Sequence, residues 1–318
     1  MEKELISIVL TLYNKAPYIE ETIFSIYKQT YTNRELIIVD DCSTDWSLEI
    51  AKSFCEKIWI TNKCKFIKNE NNLRVAKTFE RWLKEAKWEW ISMCDWDDIL
   101  MKNKLEENLR FCKKNHVDFC SSDLVWIDEN NNIIFNSWIR KNKLKRKYTK
   151  YNRFIDLLQH WYCTWSSIFF SKDIKNQVLK TNFPEDVYQD RFISVFASFL
   201  WFKIWFAEKI LVYYRRCDNC ITRDLWDKTN SQIVENRKKV LKEQISMYEK
   251  LKVFENDVPV RRKLINEKIY VFNCELLKYL NWMKYSNNLL IKTAFTNSTT
   301  FYEYIICLIR YKLKNVFK

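Results

Sequence analysis

The sequence predicts an α/β domain on a mostly parallel sheet with helices on both faces. Three observations carry this. Short β-branched, apolar runs alternate with segments of helical period in the order βαβαβαβ over the first 115 residues, an order that places crossover helices between parallel strands. With 318 residues, 47% hydrophobic and 16% aromatic, the chain buries a core, which excludes a disordered polypeptide. Acidic clusters close two of the strands, where open α/β sheets bind ligands.

Ile6–Leu12 reads as the first strand. Tyr18–Thr30 follows as a helix, with Ile19, Ile23, Phe24, Ile26 and Tyr27 at helical spacing. Glu35–Val39 is a strand ending in Asp40-Asp41. Ser47–Lys57 is a helix, Lys65–Lys68 a short strand and Val75–Ala86 a helix. Trp90–Cys94 is a strand ending in Asp95-Trp96-Asp97-Asp98, and Asn103–Asn115 a helix. Phe119–Phe135 reads as a hairpin around Asn130-Asn131-Asn132. Residues 136–152 form a Lys-rich loop expected near the site. Ser166–Ser171 is a strand, Tyr188–Leu200 a helix and Lys203–Tyr214 extended. From about Thr229 the chain turns helical and basic. We draw a boundary at 228, with a nucleotide-binding half (1–115), a second half (116–228) and a C-terminal region (229–318).

Composition narrows the function. The chain has no glycine, where ordinary usage would give roughly 22. G-x-G-x-x-G and Walker loops are therefore excluded. Trp is high, at 14. Eleven Cys without a recognisable leader lead us to expect reduced thiols and a cytoplasmic protein. Cys217-Asp-Asn-Cys220 lacks a second ligand pair for zinc, and neither His116 nor His160 has a His neighbour at metal spacing. The formal net charge is +14, and residues 229–318 hold 17 Lys+Arg against 8 Asp+Glu. Such a face suits polyanions, anionic lipid or anionic small molecules. Lys203, Glu208 and Lys209 interrupt the longest apolar stretch, Phe192–Tyr214, which argues against a membrane span.

Asp95-x-Asp97 at a strand end suits a hard cation. Mg²⁺ or Mn²⁺ takes oxygen ligands and leaves positions for phosphates and water. A cation there would stabilise a departing diphosphate. Alone, two such carboxylates are equally a solvated acidic turn.

The surrounding motifs change that weight. I-S-I-V-L-T-L-Y-N-K-A-P-Y-I, E-L-I-I-V-D-D-C-S-T-D-W-S, N-N-L-R-V-A-K-T-F-E-R-W-L-K-E-A-K-W-E-W-I-S-M-C-D-W-D-D, F-P-E-D-V-Y-Q-D-R and A-E-K-I-L-V-Y-Y-R-R resemble, in order and spacing, the family 2 inverting glycosyltransferases of GT-A fold. The resemblance spans about residues 5–223. It implies a nucleotide-diphosphate sugar, by preference a UDP-sugar, as donor, and a glycan or lipid-linked glycan as acceptor. Thr11 and Tyr13 stand where the family packs the nucleoside. Asp41, with Asp40 beside it, stands where a carboxylate accepts from the uracil N–H. Asp97 matches the ligand of Mn²⁺ or Mg²⁺, with Asp95 beside it near ribose and diphosphate. Asp190 matches the general base. Arg215, Arg216 and Gln189 are candidate contacts to diphosphate or acceptor. Gln189 replaces the family's usual Glu.

Arg74, Trp46, Trp82, Trp88, Trp96, Trp165 and Trp201 occupy positions where the family has glycine or a small residue. We therefore expect a lineage that reads UGA as glycine, with the chain written as if UGA were Trp. The other readings are a catalytically inactive sugar-nucleotide binder and a basic polyanion binder. No nucleic-acid partner is expected. Residues 301–318 carry an aromatic-aliphatic face with Arg310, Lys312, Lys314 and Lys318, suited to peripheral contact with the inner face of a membrane.

Overall fold

One sheet of nine strands organises the described residues, and its two halves differ in strand direction. The computed structural model describes residues 4–86, 89–137, 163–181 and 188–216, together with Lys242 and Ser246. The first half runs β1 (Ile6–Leu12), α1 (Ile19–Tyr27), β2 (Arg34–Asp40), α2 (Ser47–Lys57), β3 (Cys64–Lys68), α3 (Arg74–Glu85) and β4 (Trp90–Asp95). The strand order β3-β2-β1-β4 is parallel throughout.

The second half holds β5 (Ile99–Leu100), α4 (Lys104–Asn115), β6 (Phe119–Ile127), β7 (Ile133–Phe135), β8 (Ile168–Ser171), α5 (Lys172–Val178), α6 (Gln189–Phe199) and β9 (Ile204–Arg215). Here the sheet becomes mixed. β8 inserts antiparallel between β4 and β6, β9 runs parallel to β6, and β5 closes antiparallel on β9. The hairpin forms as β6 and β7, and Asn131 takes φ 67° in its turn, a conformation that Asn tolerates.

Period-2 alternation gives the parallel half two apolar faces. Ile6, Ile8, Leu10, Leu12, Leu36 and Ile38 bury against Ile19, Ile23 and Ile26 of α1, Leu48 and Ala51 of α2, and Leu105 of α4. Val9, Ile37 and Val39 have the opposite parity and are equally buried. α3 lies against β1 and β2 and buries Ala76, Phe79, Trp82 and Leu83. No helix among the described residues is long and apolar enough to cross a membrane. The chain divides into two units, Met1–Cys220 and Ile221–Lys318. The boundary placed at 228, residues 138–152 of the Lys-rich loop, Cys217–Cys220 and the segment 301–318 lie outside the described residues.

Lys104 is fully buried in the core, where its Nζ donates to Ser92 Oγ at 2.9 Å. Burial lowers its pKa from 10.5 to about 8, because the charged form is the one desolvated. The folded state therefore binds fewer protons than the unfolded chain between about pH 8 and 10.5, and this group's contribution to stability rises with pH across that window. Lys104→Met removes the titration. The stability of the variant relative to the parent should be highest below pH 8 and decline towards pH 10.5, as read from denaturant midpoints at a series of pH values.

Candidate functional site

The carboxyl ends of β1, β2 and β4 lie side by side in register, with Leu12 opposite Asp40 and Thr11 opposite Asp95. Sequence-predicted residues from three separate motifs therefore meet at one edge. The loop after β1 is laced to the loop after β2. Asn14 N–H donates to Ser43 Oγ (3.1 Å), Thr44 N–H to Asn14 Oδ1 (2.8 Å), Lys15 N–H to Ser47 Oγ (2.8 Å) and Ala16 N–H to Asp45 Oδ2 (2.9 Å). Burial works against the Asp45 charge, but the N–H donors of Ala16 and Ser47 and the Ser47 hydroxyl outweigh it and hold the carboxyl below its usual range.

Asp40 and Asp41 divide their duties. Asp40 is fully buried, and both of its oxygens accept from Ser43 N–H at 3.2–3.3 Å. It holds the turn and offers no surface to a ligand. Asp41 Oδ1 accepts from Asn69 Nδ2 and from Leu73 N–H, each at 2.8 Å. These bonds fix the carboxylate and leave Oδ2 for a further donor. Asn69 is in turn held by Arg81 (2.7 Å) and Thr78 (3.0 Å). Asn69 and Arg81 escaped the sequence reading, although Asn69 directly follows β3 at the same sheet edge. Thr11 is half-buried beside this pocket, and Tyr13 is exposed.

The turn Asp95–Asp98 is built from both halves of the sheet. Asp95 N–H donates to Ser166 Oγ at 2.8 Å, and the Ser166 hydroxyl donates to Asp98 Oδ2. Asp98 is fully buried and accepts Arg215 N–H on Oδ1 at 2.9 Å. Burial first, then the neighbouring Asp95 charge, pushes its carboxyl well up. Asp97 is buried and Asp95 half-buried. Trp96 packs partly buried against the core cluster, and Lys15 Nζ lies 4.0 Å over its ring. No three His, Cys, Asp or Glu side chains among the described residues form a metal cage. Mg²⁺ and Mn²⁺ need only one or two protein carboxylates when phosphates and water complete the shell. The hard-oxygen pair Asp95 and Asp97 fits such an ion.

Asp190 is the second residue of α6, buried, with Oδ1 accepting Arg191 N–H at 2.7 Å. Burial and the nearby Asp190 charge push the Cys163 thiol up, and Ser166, three residues on, holds Asp95 and Asp98. Gln189, the first residue of α6, is buried.

Arg215 and Arg216, both expected as diphosphate or acceptor contacts, sit in different surroundings. Arg215 is 1% exposed and bonded to protein atoms on every side, so it is a buried structural cation. Arg216 is half-buried, with its guanidinium 4.7 Å over Trp126.

The Trp residues at glycine positions fall into groups. Trp46 (φ 66°), Trp201 (φ 68°) and Arg74 (φ 62°) are left-handed, as are Cys42 and Trp59, which the sequence reading had not placed there. Trp46, Trp59 and Trp201 are 72%, 90% and 64% exposed. Trp82, Trp96 and Trp165 are not left-handed. Trp82 and Trp165 instead bury indole N–H groups that have no acceptor. Trp90, by contrast, donates to Glu4 Oε2 at 3.1 Å and stacks on Phe169. Trp88 lies outside the described residues. A separate open cleft of about 400 Å³ at the opposite end of β4, lined by Glu89, Trp90, His116 and Lys172 among others, holds none of the site residues above.

Residues 7–179 match the family model described as Glycosyl transferase family 2. The UDP-Glc:alpha-D-GlcNAc-diphosphoundecaprenol beta-1,3-glucosyltransferase WfgD of Escherichia coli is 32% identical over 144 residues, 45% of this chain and 54% of its own length. The chain spans about half the length of the curated relatives it matches. Among solved structures, S. aureus TarS 1-349 in complex with UDP-GlcNAc matches at TM-score 0.57 and 17% identity, covering 86% of this chain and 81% of that one. The mannosyltransferase PcManGT from Pyrobaculum calidifontis, in complex with GDP-Man and Mn2+, matches at TM-score 0.59 and 14% identity, covering 98% and 86%. At such identities these structures show the fold alone.

Proposed function

The chain belongs to glycosyl transferase family 2, and on that footing we propose that it transfers a sugar from a UDP-sugar to a hydroxyl of a glycan or lipid-linked glycan, with inversion. The observation that carries this reading is the convergence of Asp41, Asp95 and Asp97 at one sheet edge. Asp41 Oδ2 receives the uracil N–H. Thr11 and Tyr13 flank the nucleoside. Asp95 and Asp97 hold Mn²⁺ or Mg²⁺, which when bound neutralises charge on the departing diphosphate. Asp190 accepts the proton of the acceptor hydroxyl as that oxygen attacks the anomeric carbon opposite the leaving group. The new bond forms to the acceptor oxygen, the bond to the diphosphate oxygen breaks, and UDP leaves with its electron pair. The acceptor in WfgD's name, a diphosphoundecaprenol-linked sugar, supports a lipid-linked substrate and peripheral membrane contact.

The test is UDP release from UDP-Glc and UDP-GlcNAc with Mn²⁺, with GDP-Man as the competing donor. Asp41→Ala should weaken UDP binding by about 10–100-fold, the worth of one hydrogen bond to a charged group. GDP-Man turnover matching or exceeding UDP-sugar turnover would reject the uridine assignment.

We also propose that Trp46, Trp59 and Trp201 are glycine in the protein made in its native cell, through UGA read as glycine. The support is bulky side chains at φ 59–68° with little burial, where glycine alone is unstrained. UGA is also one base from Cys and Arg codons, in keeping with left-handed Cys42 and Arg74. Peptide mass spectrometry of native protein should find glycine at 46 and 201. In the chain as written, Trp46→Gly and Trp201→Gly should each stabilise by about 1–2 kcal/mol, read from denaturant midpoints.

A further inference from the structure

Arg215 ends β9, far in sequence from the acidic turn, yet its Nε and its main-chain N–H both reach that turn. Nε donates to the main-chain oxygen of Asp97 at 2.9 Å, and its own N–H donates to Asp98 Oδ1 at 2.9 Å. Nη1 reaches the carbonyls of Asp128 and Glu129 at 3.2 and 3.3 Å. Nη2 pairs with Glu21 at 2.6 Å, and the plane lies 4.9 Å over Tyr18. The adjoining ladder continues the connection, with Ile99 opposite Tyr213 and Leu100 opposite Val212.

A guanidinium is costly to bury, and its rigid fork of donors suits fixed acceptors rather than a mobile one. Here the fork takes the carbonyl of Asp97, which orients the peptide that carries the Asp97 carboxylate. Ser166 completes the hold from the other side by bridging Asp95 N–H and the Asp98 carboxylate.

We propose that Arg215 is a positioning residue that sets the shape of the 95–98 turn, and so the separation and direction of the Asp95 and Asp97 carboxylates towards a divalent cation and diphosphate. The proposal rests on the donor-site reading above. It predicts that loosening Arg215 disturbs cation capture without disturbing the uracil side, which Asn69 and Leu73 hold independently.

The experiment compares wild type with Arg215→Lys, which keeps the charge and loses the fork. Hydrogen exchange is followed in peptides covering 95–101 and 34–41, with Mn²⁺ titrated by electron paramagnetic resonance in the presence of UDP. The expected result is exchange at least tenfold faster in 95–101 alone. UDP-dependent Mn²⁺ affinity should fall at least tenfold, while metal-free UDP affinity stays within twofold. Unchanged exchange in 95–101, or equal acceleration in both peptides, overturns the proposal, as does unaltered Mn²⁺ affinity in a wild type that binds it. If Arg215→Lys fails to fold, Glu21→Gln loosens the guanidinium from its exposed end and must give the same selective pattern. Wild type binding UDP with no dependence on Mn²⁺ would refute the cation assignment, while the exchange contrast still decides the role of Arg215.

Discussion

Asp190→Asn is expected to lower sugar transfer by about 10²–10⁴-fold, the usual contribution of a positioned general base, while UDP affinity stays within about twofold. The substitution is nearly isosteric and preserves the oxygen that accepts Arg191 N–H at 2.7 Å, so α6 should keep its start. What is lost is the basic oxygen. The acceptor hydroxyl must then deprotonate unaided, and the cost falls on kcat rather than on donor binding. Steady-state kinetics with UDP-GlcNAc or UDP-Glc, beside calorimetric UDP binding, separate the two. A variant retaining more than a tenth of the parent kcat would remove Asp190 from the mechanism. Loss of UDP binding in step with kcat would place Asp190 in the donor pocket instead.

Asp97→Asn should have a comparable effect through a different route. The amide keeps the volume of a buried side chain and leaves the main-chain oxygen that Arg215 Nε holds. It removes one of two hard anionic donors, and Mg²⁺ or Mn²⁺ sites of this kind carry few protein ligands to begin with. Mn²⁺-dependent UDP affinity should fall at least about tenfold, which is about 1.4 kcal/mol, and turnover should fall with it. Metal-free UDP binding through Asp41 should persist. Calorimetry with and without Mn²⁺ reads the difference directly. If binding and turnover are both indifferent to the substitution, the acidic turn has no part in donor binding.

The parallel half was legible because its signals are local. β1 and α2 fall at the expected bounds, Ile6–Leu12 and Ser47–Lys57, since a run of β-branched residues and a helical period need no distant partner to be recognised. α5, at seven residues, is too short to display its period, and two-residue β5 has none. The mixed pairing around β8 depends on strands some 80 residues apart in the chain, which alternation within one strand does not encode. The site divides in the same way. Asp41, Asp95 and Asp97 stand at strand ends and are visible as motifs. The role of Arg215 is not, because its partners are carbonyls at 97, 128 and 129 and a carboxylate 194 residues away. Ser166 hides for the same reason. The Trp residues at glycine positions were visible, but their conformations were not. Trp82 in α3 and Trp165 in a 3-10 turn carry orphaned indole donors rather than left-handed backbone.

The place of β8 in the sheet also governs how the chain matures on the ribosome. β4 is complete at Asp95, but its second edge is covered only when Ile168–Ser171 arrives. At synthesis rates of about 5–20 residues per second, those roughly 75 residues take about 4–15 s. Throughout that interval Trp90–Ser92 presents an unpaired apolar edge, the kind that invites pairing with a neighbouring chain. Folding factors that attend the nascent polypeptide would have that window, and that strand, to protect.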